Sequence, residues 1–424
     1  RAGYEAALAN PELRSMADKS PSGGGAPSSR RPTRVIGGIR IEGTTRYSRR
    51  KLEAAERSVT GRSLAPSDLQ RGLKSVLGDQ YFQKVRYRLA PAAGDRTDLI
   101  VEVFESRSDS FNLGGRIDDK YGALGLLNLT LRDLAGGDNQ TSFDFQVGSF
   151  SRFSADFLHP STPGTSFFIR PQLFWSNDFQ FGYAVGGQRS EFVDRRYGGE
   201  AQVGNTFRNL GVVTLGYRLN RVNFHRGEGE EVFLPFEGRI ASLVLRSRVE
   251  TFDRAEIPDR GRLIDFVFES ARAGLGGELG FDRTWVDYSG YHTWGTRHTL
   301  TTGVRLGTSF ADELPVFEQF RVGGEDYLTG LRREEIRGNH VAGVRAGYRC
   351  RLADLGSSFL SRIYLEVGAD AANAWVDRDH LTGGLRTDGY VSLIARTWIG
   401  PMRVTFGAAE GGNRNVTLSI GHRF

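Results

Sequence analysis

NVTLSIGHRF, residues 415 to 424, closes the chain and decides how the rest is read. Val416, Leu418, Ile420 and Phe424 fall on one side of an extended strand, while Thr417, Ser419, Gly421 and Arg423 fall on the other, because successive side chains point to opposite faces. The strand therefore runs to the last residue. In hydrocarbon an open strand edge leaves N–H and C=O groups unpaired at several kcal/mol each, so a last strand with a lipid-facing side must meet the first and close the sheet.

The same two-residue period recurs upstream. Leu127, Leu129 and Leu131 alternate with Asn128, Thr130 and Arg132. Val213, Leu215, Tyr217 and Leu219 alternate with Thr214, Gly216, Arg218 and Asn220, and Ala241, Leu243 and Leu245 stand against Ser242, Arg246 and Arg248. A soluble sandwich with its apolar faces turned inward carries the same alternation, so the period alone leaves sandwich and barrel open. The connections favour the barrel. GGDNQ (Gly136 to Gln140) reads as a tight turn, whereas Asn223 to Gly238, Thr251 to Arg260 and Phe310 to His340 read as long loops. Short turns on one side and long loops on the other are the pattern of an outer-membrane barrel. Strand centres fall near positions 113, 127, 145, 156, 171, 200, 215, 244, 267, 284, 302, 346, 367, 393, 404 and 419. The fold class is thus an all-β transmembrane barrel of about 16 antiparallel strands over residues 106–424. The stretch 178–192 reads either as loop or as strand extension.

Composition narrows the class further. Glycine supplies 55 of 424 residues, and 28 Phe and 14 Tyr stand against 2 Met and 1 Cys, a turn-rich, strand-forming mixture. No apolar run approaches the ~18 to 20 residues of a membrane-spanning helix, which excludes a helical membrane protein but not a barrel, where only alternate residues face lipid. Cys350 alone excludes an intrachain disulfide and any cysteine-based zinc or redox motif. With 56 basic and 50 acidic residues spread along the chain, no nucleic acid partner is expected. Acyl transfer would need a nucleophile on a Gly-x-Ser-x-Gly turn, and neither that pentapeptide, a Walker-type loop nor a His-Glu-x-x-His helix occurs. The seven histidines, at 159, 225, 292, 298, 340, 380 and 422, are scattered and read as surface polar residues rather than a metal site. No cofactor and no catalytic residue is expected in this chain.

Ahead of the barrel, residues 34–105 read as a small α+β unit. A strand at Val35 to Ile41 and a Gly43 turn precede helices at Arg49 to Ser58 and Pro66 to Leu77, then a hairpin at Val85 to Leu89 and Leu99 to Phe104. The order is β-α-α-β-β, with one sheet edge open to strand addition. Residues 1–33 read as the end of an upstream segment: Tyr4, Ala7 and Leu8 share a helical face, and a Pro, Gly and Ser linker follows from Pro21 to Thr33. A chain opening at Arg1 with neither Met nor signal peptide reads as a processed or truncated piece.

Four stretches carry a resemblance to a known family. Residues 35–104, including GDQYFQKV (Gly78 to Val85), resemble a single POTRA domain. PVFEQFRVGGEDYLTGL (Pro315 to Leu331) resembles the loop between barrel strands eleven and twelve, EVGADAANAW (Glu366 to Trp375) the following strand that faces it, and NVTLSIGHRF the terminal assembly signal, with Val416, Leu418, Ile420 and Phe424 as its apolar positions. Together they resemble the POTRA-plus-β-barrel superfamily of outer-membrane insertases and translocators, which includes the barrel-assembly insertase and the two-partner secretion transporters. The resemblance implies that the loop, with Gly323, Gly324, Leu328, Thr329, Gly330 and Leu331 as its motif, folds back into the lumen. The family's loop reads Val-Arg-Gly-aromatic, so its arginine is missing here, and the usual acidic partner aligns with Gly347. Asp370, the other acid of the family pattern, remains. It is expected to pair with Arg345 or Arg349 from the neighbouring strand, or with Arg332 or Arg333 just beyond the motif.

Within the superfamily, one POTRA domain behind such a linker is most like the translocator part of a patatin-like type V autotransporter, and GYEAALAN (Gly3 to Asn10) is similar to the last helix of such a passenger. That likeness implies a bacterial outer-membrane protein, its POTRA domain in the periplasm, that exports or displays its own N-terminal patatin-like phospholipase passenger. The lateral gate would lie between the strand near Phe111 to Ile117 and the strand Asn415 to Phe424. The alternative is a stand-alone insertase or two-partner secretion transporter. Implied partners are outer-membrane lipid and lipopolysaccharide, the passenger, and the assembly machinery that inserts the barrel; a homo-oligomer stays open. A passive pore is disfavoured, since the lumen loop would plug it.

Overall fold

The structure is a computed structural model. It describes residues 34–42, 63–64, 82–92 and 96–105, and from 109 to 421 all but 119–121, 133, 135–138, 149–150, 161–165, 184–188, 208–210, 231, 255, 311–312, 325–326, 333, 357–358, 378–383 and 399. Four strands precede the barrel: β1 (Arg34–Glu42), β2 (Ser63–Leu64), β3 (Phe82–Pro91) and β4 (Arg96–Glu105). They form one sheet in the order β2-β1-β4-β3, with β4 parallel to β1 and antiparallel to β3. A parallel pair needs a crossover between its strands, and the helices expected at 49–58 and 66–77 sit in that interval, outside the described residues. The expected segments before residue 34 also lie outside them. β2 has no signal in the sequence; two residues are too few for any period to show.

The barrel begins with β5 (Ser110–Asp118), β6 (Gly122–Arg132), β7 (Gln140–Gly148), β8 (Ser151–Pro160) and β9 (Phe167–Tyr183). It continues with β10 (Arg189–Phe207), β11 (Gly211–Glu228), β12 (Phe236–Glu250), β13 (Gly261–Ala271), β14 (Phe281–Trp294) and β15 (His298–Ser309). The next connection holds a separate ribbon of β16 (Phe320–Val322) and β17 (Ile336–Gly338). Five more strands, β18 (His340–Asp354), β19 (Leu360–Trp375), β20 (Arg386–Thr397), β21 (Gly400–Ala409) and β22 (Arg414–Ile420), complete a 16-stranded sheet. Every expected strand centre falls inside one of these strands. The ambiguous stretch is strand extension, with Asp178 of β9 opposite Asp194 of β10.

Side-chain orientation separates barrel from sandwich. Leu173, Val203 and Leu215 are 66%, 55% and 51% exposed on the outer surface, while Glu200, Thr214 and Thr417 are 5%, 7% and 2% exposed inside. Apolar residues out and polar residues in is the reverse of a soluble core, and an apolar band of this extent needs lipid to cover it. The wall is uneven: β9, β10 and β11 have 17, 19 and 18 residues, whereas the terminal strands β5 and β22 have 9 and 7.

β5 and β22 are the two ends of the sheet order, and among the described residues no ladder joins them. They nevertheless approach closely. Gly421, at φ +100°, donates its N–H to the Pro401 carbonyl (2.9 Å) and turns the chain toward β5, where a Cβ on it would overlap the Gly115 carbonyl oxygen. Only glycine fits that crossing. Of the terminal signal, Val416, Leu418 and Ile420 face outward as the alternation requires, and Phe424 lies outside the described residues.

Strand direction corrects the sidedness of the loops. Calling the end at which the chain enters β5 the near end, antiparallel order puts the β6–β7 turn at the near end and the β12–β13 connection, Thr251 to Arg260, there too. The long connections therefore do not all share one end. The Asn223 to Gly238 loop is also shorter than expected, since β11 runs to Glu228 and β12 starts at Phe236. Thr251 to Arg260 is a folded hairpin extension: Thr251 N–H donates to the Arg262 carbonyl (2.9 Å) and Asp253 N–H to the Arg260 carbonyl (3.1 Å). Asp253 Oδ1 accepts the N–H groups of Asp259 (2.9 Å) and Arg260 (3.0 Å). Burial pushes the Asp253 carboxyl up, but those amide bonds outweigh it and hold the group below the usual carboxylate range.

Candidate functional site: the lumen loop and its latch

The connection between β15 and β18 turns into the barrel instead of away from it. Tyr327, Leu328, Thr329, Gly330 and Leu331 are all buried, Leu328 at 0% exposure and with φ +57°. Where an arginine side chain would anchor the family's loop, the backbone anchors this one. Leu328 N–H donates to Asp370 Oδ2 (3.0 Å), and Gly330 N–H donates to Asp388 Oδ2 (2.6 Å). Asp370 and Asp388 are register partners on β19 and β20, so adjacent strands present adjacent carboxylates to alternate loop amides. Charge-assisted bonds of this kind are the stronger class.

Arg345 balances the site from β18. Its Nε and Nη2 donate to Asp370 Oδ1 and Oδ2, both at 2.6 Å, and its guanidinium lies between the rings of Tyr327 (5.3 Å) and Tyr390 (5.1 Å). Arg349 does not reach Asp370. It is 1% exposed, lies against the rings of Tyr291 and Tyr364, and donates to the Pro258 carbonyl of the near-end hairpin. Arg332 engages Glu335 through its backbone, and Arg333 lies outside the described residues. The space left by the absent acid at Gly347 is taken by Tyr390: a Cβ there would stand 2.8 Å from the Tyr390 hydroxyl, which donates to Glu366 Oε1 (3.2 Å). Gly323 and Gly324 sit at positive φ, +124° and +93°, and Gly324 N–H donates to the Leu328 carbonyl (3.2 Å), closing the loop behind the latch.

The motif reaches the terminal strand. Gly330 lies backbone to backbone on β21, where a Cβ on Gly407 would come 2.6 Å from Gly330 N, and Asn415 Nδ2 of β22 donates to the Thr329 carbonyl (3.1 Å). Thr329 Oγ1 accepts from Arg345 Nη2 of β18 (3.4 Å). The stretch from Tyr327 to Leu331 thus touches β18, β19, β20, β21 and β22.

A second anchor lies toward the far end. Glu318, 5% exposed, places Oε1 2.5 Å from Arg196 Nη1 of β10 and Oε2 2.7 Å from Arg283 Nη2 of β14. The network continues through Asp194, Glu200, Glu269, Arg218 and Arg246, four acids against four arginines with Glu318, Arg196 and Arg283 included. Above it an apolar cluster of Phe192, Val222, Phe224, Ile240, Phe281 and Phe317 fills the lumen. Inward positions of β10 to β14 switch from charged to apolar there because the loop's Leu314, Val316 and Phe317 must be buried against them. Replacing Glu318 by Gln keeps the shape but deprives Arg196 and Arg283 of the carboxylate they share. Open events of the purified barrel in a planar bilayer are then expected to become several-fold more frequent than in the parent, and an unchanged trace would show that Glu318 does not hold the loop.

Sequence reasoning does not single out Glu318, Tyr327, Asp388 or Tyr390. Parity is the available signal: on β20 Asp388 and Tyr390 share the inward face with Ser392, and a carboxylate buried at 6% exposure needs a donor. Among the described residues no group of three His, Cys, Asp or Glu could hold a metal ion.

Residues 133–424, well over half of the chain and including the whole lumen loop, match the Omp85 superfamily domain. The chain belongs to the Omp85 superfamily. Among Omp85-type proteins it is 24% identical over 335 residues to the outer membrane protein assembly factor BamA of Nitratidesulfovibrio vulgaris strain Hildenborough, covering 74% of this chain and 40% of that protein. The chain thus spans less than half of that relative's length. In fold it is similar to BamA from Haemophilus ducreyi lacking POTRA domains 1-3, with TM-score 0.67 and 14% identity over 91% of this chain and 84% of that one. CdiB from Escherichia coli gives TM-score 0.63 and 15% identity over 92% and 76%. As an Omp85 barrel the protein resides in the outer membrane with a POTRA-like N-terminal region in the periplasm, which makes the near end periplasmic and the far end extracellular.

Proposed function

We propose that this Omp85 barrel is a stand-alone outer-membrane insertase or translocator that passes extended polypeptide from the periplasm through the β5–β22 seam. The observation that carries the reading is the unladdered meeting of the terminal strands beside a lumen loop whose motif touches β22. A strand edge without a ladder is held by less than its neighbours and can accept an incoming strand in their place. On this reading residues 34–105 are a POTRA domain, and the outer edge of β3 takes up the extended chain first. Gly323, Gly324 and Leu328 to Leu331 keep the seam strands in register until substrate arrives, with Asp370 and Arg345 as the latch. Energy comes from substrate folding, since the sequence carries no nucleotide-binding motif. Export of a patatin-like passenger is the finer alternative; it rests on residues 3–10 and the linker, whereas the relatives in sequence and fold are assembly and CdiB-type proteins.

The test is a disulfide across the seam. In a Cys350→Ser background, cysteine pairs are introduced between Arg116 or Ile117 and Ser419 or Ile420, with Gly115 and Gly421 left unchanged, and the protein is placed in liposomes. Oxidation is expected to abolish membrane insertion of an unfolded barrel substrate, or delivery of an extended β-helical one, and reduction to restore it. Whichever substrate responds separates insertase from exporter, and unimpaired handling of both by the oxidised protein would end the proposal.

A further inference from the structure

From its residues, Thr251 to Arg260 reads only as a long loop. Yet its tip is buried. Ile257 is 4% exposed and packs with Tyr364 of β19 and Ile394 of β20, on the far side of three intervening barrel strands. Pro258 is buried beside it, and its carbonyl accepts from Arg349 of β18. Thr293 Oγ1 of β14 donates to the Asp259 carbonyl (2.6 Å), and Glu256 Oε2 stands 3.7 Å from Arg396 Nε of β20. A hairpin that leaves the wall between β12 and β13 therefore lies across the inner face of β14 to β20. Its own ion pair, Arg254 Nη1 with Asp259 Oδ2 at 2.6 Å, braces the hairpin against itself and does not fasten it to the wall.

The fully buried contact is Arg349. A guanidinium at 1% exposure, flanked by Tyr291 and Tyr364, is costly to leave without acceptors, and the hairpin's carbonyl supplies one. Arg349 also stands two inward positions below Arg345 on the same strand, and Tyr364 and Ile394 stand below Asp370 and Asp388 on theirs. The hairpin thus sits directly beneath the loop latch, on the same three strands.

We infer that Thr251 to Arg260 is a periplasmic lid, latched by Arg349, that covers the β14 to β20 side of the lumen and supports the loop from below. It rests on the reading of the barrel as a translocator only for its purpose, not for its existence. The lid closes the lumen to periplasmic chain on the side away from the tall β9 to β11 wall and must move before the loop can descend.

The test follows a single cysteine. In the Cys350→Ser background, Ile257→Cys is compared with the exposed control Thr296→Cys, in the near-end turn between β14 and β15, in the full chain in liposomes, reading the rate of labelling by a charged maleimide from the periplasmic side. The expected result is labelling at least tenfold slower at position 257, and a rise of at least tenfold when Arg349→Gln is added, with no change at position 296. Labelling of 257 at the control rate would overturn the lid, and slow labelling that ignores Arg349→Gln would overturn the latch. Heat-modifiable gel mobility reports whether each variant is folded. Should Arg349→Gln fail that check, the pair Ile257→Cys and Ile394→Cys takes its place: a disulfide forming on oxidation supports the lid, and its absence overturns it. Because no substrate is used, failure here is distinguishable from failure of the seam experiment.

Discussion

Asp370→Ala is expected to be the most damaging single substitution in the barrel. The carboxylate, buried at 3% exposure, takes two bonds from Arg345 and one from the Leu328 amide, so its loss strands a guanidinium and a backbone N–H together. Removing one partner of a buried pair costs about 3–5 kcal/mol, most of it the penalty on the charge left behind. The midpoint of heat modifiability should fall by roughly 5–10 °C, taking ~2 °C per kcal/mol for a domain of this size. Asp370→Asn keeps an acceptor for Leu328 and should lose less. Removing Arg345 as well, in Arg345→Met with Asp370→Leu, should recover part of the loss, because a buried pair replaced by apolar residues is often close to neutral. An unchanged midpoint and yield in Asp370→Ala would mean that the carboxylate is merely solvated in the lumen.

Gly407→Val is expected to act without touching any charge. Its Cβ would lie 2.6 Å from both Gly330 N and Thr329 C, a backbone-to-backbone contact that no rotamer can relieve. Overpacking costs ~1–3 kcal/mol where side chains can shift, and more where only backbone is available. The loop motif should be expelled from β21, which would be read as new protease cleavage between residues 323 and 338 and as raised conductance. Gly389→Val is the control, since a Cβ there meets nothing nearer than 3.9 Å. If both variants behave alike, the motif does not rest on β21.

The barrel is legible in the sequence because its determinants are local. Alternation over a few residues and Gly-rich turns place sixteen strands without knowledge of their partners. What alternation leaves open is which face is buried, and the 66% exposure of Leu173 answers that only in three dimensions. The end at which Thr251 to Arg260 lies escapes a local reading because it depends on counting every strand before it. Asp370 is reached through the family pattern, whereas Asp388 looks in sequence like any lumen acid and acquires its role from an amide 58 residues earlier. Arg349 shares an inward parity with Arg345, which invites grouping the two; its acceptor at Pro258 is 91 residues away, beyond the reach of any motif. Glu318 stands in a recognisable loop, but its partners Arg196 and Arg283 come from strands with no pattern of their own beyond alternation.

The unequal height of the wall bears on where a polypeptide leaves the barrel. At about 3.3 Å per residue and a tilt near 40°, the 19 residues of β10 rise roughly 48 Å and the 9 residues of β5 roughly 23 Å. The excess does not lie in hydrocarbon: beyond Tyr197 the outward positions of β10 are Val193 flanked by Arg195 and Glu191, and Arg221 of β11 stands opposite Tyr197, so this part of the wall projects from the extracellular surface. β5 and β22, at 9 and 7 residues, carry no such extension, and a chain crossing their seam meets no parapet above the headgroups.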